Sequence, residues 1–134
     1  MTLARLTIHE LHQKLVDREI SALELTEAHL ARIQALDGQI HAYLTVTEEQ
    51  ALQAARAVDA RLKAGEEIAP LAGIPMALKD NLCTNGIRTT CASKMLDDFK
   101  PPYNAEVVEK LYNQQAVVLG KANMDEFAMG STTE

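Results

Sequence analysis

Apolar residues recur at helical spacing through the first half of the chain, whereas the second half breaks into short apolar runs separated by turn residues. Three places in the first half carry a hydroxyl followed three residues later by Glu or Gln: Thr7 with Glu10, Ser21 with Glu24, and Thr47 with Gln50. In that spacing each side chain satisfies the other's orphan amide, which predicts three helix starts. From Ser21, the residues Leu23, Ala28, Leu30, Ile33 and Leu36 keep roughly helical spacing, and Asp37-Gly38 predicts the stop. An alanine-rich third helix is predicted from Glu48 to Lys63, with Gly65 after it. Between the second and third, "HAYLTV" is β-branched and aromatic and reads as a short strand.

After Pro70 the pattern predicts a strand in "GIPMALKD" and a helix capped by Asn104 that runs to about Gln114 on a stripe of Val107, Val108, Leu111 and Tyr112. A buried strand follows from Ala116 to Leu119. A helix leading within a few residues to a buried strand is the grammar of an α/β sheet. The predicted fold is therefore α/β: N-terminal helices over residues 1–69, then the beginning of a mixed sheet over 70–134, within one domain. The closing "GSTTE" opens a hydroxyl-rich stretch with no apolar answer, so the sequence reads as cut there, with strand edges and apolar surface left open.

Composition narrows the partners. With 47% apolar residues and a net charge of −6, the chain reads as a soluble globular protein. Thirteen basic against nineteen acidic residues leave no basic stripe for gripping RNA. No apolar run approaches the length of a bilayer span and "MTLARLTIHE" does not read as a leader, which predicts a cytoplasmic chain with no membrane partner. Cys83 and Cys91 match no common zinc spacing and are expected to be free thiols. His9 and His12 lack a third ligand and read as surface residues, so no metal is predicted. Gly120-Lys121 lacks the glycine and hydroxyl of a phosphate-binding loop.

The chemistry concentrates in "LAGIPMALKDN". Alternation places Ile74, Met76 and Leu78 on one face, and Pro75, Ala77 and Lys79 on the other. Lys79 is then either a strand-end lysine reaching water or a desolvated base with small neighbours that leave room for a ligand. A lysine acts as a base near pH 7 only where burial brings its pKa down by about three from about 10.4, at roughly 4 kcal/mol, and it needs a nucleophile in reach. Asp80 is expected to pair with a neighbouring cation or cap the next turn, and Asn81 to hold backbone groups. Asp125-Glu126 reads as the acidic first turn of a helix, and Ser93 as a turn residue.

"LAGIPMALKDN", followed by "VVLGKANMDEFAMGSTTE", resembles the amidase signature family. With "TNGIRTTCASKMLDDFKPPYNAEVVEKL" between them and "LTIHELHQKL" at the start, the likeness extends over essentially the whole chain to that family's branch of bacterial tRNA-dependent amidotransferase A subunits. The resemblance implies a lysine, a bridging serine and a nucleophilic serine that together attack the side-chain amide of glutamine, with Lys79 at the lysine position. It places Met124, Asp125 and Glu126 near the glutamine pocket. It implies no cofactor on this chain, and B and C subunits as partners, the B subunit binding misacylated tRNA and using ATP with Mg2+. The serine pair lies in a family segment beyond "FAMGSTTE"; Ser131, Thr132 and Thr133 precede it. The resemblance thus implies an N-terminal portion that holds one catalytic residue of three and is inactive by itself. A stand-alone amidase acting on small carboxamides and a non-catalytic module are the competing expectations.

Overall fold

The computed structural model describes residues 2–133. Its first half is the predicted run of helices: α1 (Ile8–Val16), α2 (Ala22–Ile40), the strand β1 (Tyr43–Val46) and α3 (Glu48–Lys63). Thr7 and Ser21 each form a full capping box, with Glu10 and Glu24 respectively. Thr47 does not. Its buried hydroxyl donates across the fold to the Val118 carbonyl at 3.0 Å, so α3 starts without a side-chain cap and relies on Glu48 and Glu49 against its dipole.

The predicted stop of α2 is also corrected. The helix runs through Gly38 to Ile40 and ends on His41 in the left-handed conformation, φ 56°. The Asp37 carboxylate accepts from the Ala42 and Tyr43 amides, so the residue that read as a terminator instead ties the helix end to β1. Its core stripe is shifted as well: Ala22, Leu25 and Thr26 are buried, whereas Ala28 is exposed.

The second half supplies β2 (Pro75–Lys79), α4 (Glu106–Asn113) and β3 (Val117–Ala122). Asn104 does not cap α4, which has Ala105 at its N-cap; Asn104 accepts from the Asn85 amide and donates to Glu109. Within α4, Val108 is buried and Leu111 partly buried, while Val107 and Tyr112 are exposed at 45% and 37%. The strands form one mixed sheet in the order β1-β3-β2, with β1 antiparallel and β2 parallel to β3.

Two apolar clusters sandwich that sheet. Leu11, Leu15, Leu25, Ala55 and Val58 from α1–α3 meet Ile74, Val117 and Leu119 on one face. Val108 from α4 meets Leu78 and Val118 on the other, with Met76 packed alongside. Ile74 therefore does not share the face of Met76 and Leu78. It lies in the turn before the pleat begins, where Gly73 (φ 75°) redirects the chain and the Ile74 amide bonds to the Leu71 carbonyl. The helical layer covers only the beginning of β2, leaving Ala77 and Lys79 exposed.

Candidate active site

Parallel strands leave their carboxyl ends together, and in open α/β sheets that end is where ligands bind. Here Lys79 and Ala122 are paired in register at the ends of β2 and β3. One chain continues into Asp80 and the other into Asn123 and Met124, with the Asp80 amide donating to the Ala122 carbonyl at 3.1 Å. The predicted base and the predicted substrate-side residues thus issue from one edge of the sheet.

Their environments differ. Lys79 is exposed, and its ammonium makes no hydrogen bond or ion pair among the described residues. The desolvation that a lysine base requires is not supplied by these residues. Met124 is buried at 5% exposure, its amide bonded to the Asn123 side chain. Asp125 is half-buried and precedes a short 3-10 turn, Glu126–Ala128, without capping it through its side chain. The acids read as a helix start therefore open only a single tight turn, which contains Phe127 and Ala128 at φ 52° and 58°. Glu126 accepts a hydrogen bond from Ser93, and Ser93 is buried, so this serine does more than shape its own turn.

Between the two strand ends lies a feature that the apolar pattern concealed. Lys121 is wholly buried. Its ammonium donates to the Leu82 carbonyl (2.7 Å), Thr84 Oγ1 (3.0 Å) and Thr89 Oγ1 (2.9 Å), which uses all three of its N–H groups. Asp80, equally buried, stands 3.7 Å away and accepts from the Thr90 amide and hydroxyl at 2.9 and 2.5 Å. Burial pulls the Lys121 pKa below the ordinary lysine value, and the Asp80 charge opposes that pull.

Asp80 does pair with a cation, as expected, but the cation is Lys121 and not its neighbour Lys79. The available signal was a lysine inside the apolar run "AVVLGKA": a strand buried on both faces must give such a residue a partner. Elsewhere, Cys83 and Cys91 are both free, as expected. His9 is exposed but His12 is only partly so, with a buried Nδ1 that lacks a partner. No group of three metal-ligating side chains occurs among the described residues, and no helix is long and apolar enough to cross a membrane.

The described residues thus form a helical layer over a mixed sheet, with an uncovered lysine at the carboxyl end of β2. Residues 24–134 match the model of the family described as Amidase, and the chain belongs to that family. Among curated proteins it is 61% identical, over all 134 of its residues, to the glutamyl-tRNA(Gln) amidotransferase A subunit of Moorella thermoacetica, of which it covers 28%. Among solved structures it superposes on the native peptide amidase of Stenotrophomonas maltophilia with a TM-score of 0.89 at 33% identity, covering 97% of this chain and 27% of that one. On the A subunit of the Thermotoga maritima glutamyl-tRNA(Gln) amidotransferase the TM-score is 0.75 at 38% identity, covering 98% and 26%. The chain therefore spans little more than a quarter of the length of the relatives it matches, and the expected likeness to an N-terminal portion holds.

Proposed function

We propose that the chain is the N-terminal part of a single amidase signature domain in the glutaminase subunit of a tRNA-dependent amidotransferase. The observation that carries this reading is identity of about three-fifths, sustained along the whole chain, to the A subunit of such an enzyme. In this reading Lys79 is the terminal base. It draws a proton through a bridging serine so that a second serine attacks the glutamine side-chain amide; ammonia leaves and an acyl-enzyme remains. Met124, Asp125 and Glu126 lie on the substrate side. The open face beside Ala77 and Lys79 is where the serine-bearing segment would pack, supplying the desolvation that the described residues lack.

The partners follow from the same reading: a B subunit that binds misacylated tRNA and uses ATP with Mg2+ to activate it, and a C subunit bridging the two. This chain binds no cofactor. Its acidic balance suits a glutaminase that leaves RNA binding to its partner. Ser21 and Ser93 bond elsewhere, Ser21 to Glu24 and Ser93 to Glu126 and Met95, and the 134 residues alone are inactive in this proposal.

The full-length protein carrying Lys79→Ala, assembled with its partners, is expected to lose at least about a thousandfold in glutamine hydrolysis. Retention of near-normal turnover would remove Lys79 from the chemistry. The likeness to peptide amidase supports a second reading, a stand-alone amidase. Assaying the full-length enzyme for amidated aminoacyl-tRNA against free ammonia alone separates the two.

A further inference from the structure

Four of the five ion pairs among the described residues are exposed on both partners or nearly so, and the fifth, Lys121–Asp80, is fully buried on both. A buried pair brings little net stability, because removing two charges from water offsets most of their attraction. Holding the fold together is therefore an insufficient reason for it. Its connections indicate another.

Asp80 is the residue directly after Lys79, and Lys121 directly precedes Ala122, the register partner of Lys79. The Asp80 carbonyl accepts from the Cys91 amide at 3.0 Å, and the Cys91 carbonyl accepts from the Phe127 amide at 3.0 Å. Ser93, two residues on, donates to Glu126 at 3.0 Å. One continuous set of bonds thus runs from the carboxyl end of β2, through the loop at 90–93, into the turn that follows Met124. Lys79 has no side-chain partner of its own among the described residues, so what these residues fix is the backbone that carries it.

We propose that Lys121 and Asp80 are positioning residues for the amide chemistry: the buried pair fixes the strand end bearing Lys79 against the Met124–Glu126 turn, so that base and substrate keep one spacing. The inference rests on the Lys79 reading above. Such a device matters because a displacement of about 1 Å at a reacting centre costs about a hundredfold in rate.

The test uses the full-length protein in its complex, with rates referred to folded complex counted by circular dichroism and gel filtration. Asp80→Asn, which keeps the shape and removes the charge, is expected to lower kcat for glutamine hydrolysis about tenfold or more while KM stays within about twofold. Thr90→Val, which removes the 2.5 Å hydroxyl bond to Asp80, should lower kcat severalfold, and Thr90→Ser should restore it. Against the residual rate of Lys79→Ala, adding Asp80→Asn should cause no further loss, because the pair acts through Lys79. Losses that multiply, or that only follow the folded fraction, would overturn the inference. Near-normal turnover in Lys79→Ala would instead overturn the assignment of the base. An inactive Lys79→Ala beside wild-type kcat in both Asp80→Asn and Thr90→Val would overturn the positioning role alone.

Discussion

Cys91 is held by its backbone at both ends, its amide on the Asp80 carbonyl and its own carbonyl on the Phe127 amide. Burial pushes the thiol pKa up, the Asp80 charge adds to the push, and Lys121 opposes it. A pKa raised by folding contributes stability that is full below the ordinary thiol value and is lost as pH rises through the higher folded value. In the full-length protein, the urea midpoint should therefore fall less between pH 8 and pH 10 in Cys91→Ala than in wild type. An equal fall in both would mean that this thiol does not titrate with unfolding. At this scale a helix cap was legible where its partner lay three positions ahead. Thr7 and Ser21 each bond three positions ahead, whereas the Thr47 hydroxyl finds its acceptor at Val118, 71 residues on. Lys121 was hidden for the same reason, since its hydroxyl and carbonyl partners lie 32 to 39 residues earlier.

Among the elements, β3 is the most constrained, being paired on both sides. At Gly120 an added Cβ would stand 2.2 Å from the Thr45 carbonyl oxygen and 2.9 Å from the Tyr43 ring, so the glycine is what lets β1 approach. Gly120→Ala should destabilise the full-length protein by about 1–3 kcal/mol, read as a lower denaturant midpoint. The register with β2 also slips beside this glycine: Met76 faces Val118, but Ala77 faces Gly120. That irregularity lets Leu119 face the helices while Lys121, two residues on, reaches the loop on the α4 side. Every α-helix and strand was legible in the pattern, and α3 has its expected bounds. The end of β3 was not, because glycine and lysine break its apolar run after Leu119. Nor was the end of α2, because Asp37 turns its carboxylate to the Ala42 and Tyr43 amides beyond the helix and Gly38 stays helical.

At the largest scale, α1–α3 cover one face of the sheet and α4 packs on the other, and the carboxyl end of β2 is left open among the described residues. β2 and β1 are both edge strands among the described residues, and Ala77 and Lys79 are uncovered. Met129 and Met95 are 83% and 85% exposed. Open edges and apolar surface favour association, so the 134-residue polypeptide produced alone should elute larger than a monomer and bind apolar dyes. A sharp, reversible, monomeric unfolding transition would refute this. The candidate site was legible in part: the sequence pointed to Lys79 and to the turn after Met124, and both issue from one sheet edge. The bonds connecting them were not, because they pass through an irregular loop whose order comes from buried polar groups and not from any periodic pattern.

The position of β3 in the sheet has a consequence for synthesis. It lies between β1 and β2 yet follows both in the chain, and it brings Lys121, the anchor of the loop beyond β2. On the ribosome, α2 and α3, which pack on each other, can gather as they emerge, while two strands and a long loop wait unpaired. Translation at about 5–20 residues per second stretches that wait to several seconds. Only when residue 122 clears the exit tunnel can the sheet close and the loop settle, so the nascent chain is most open to chaperones and to error just before its central strand arrives.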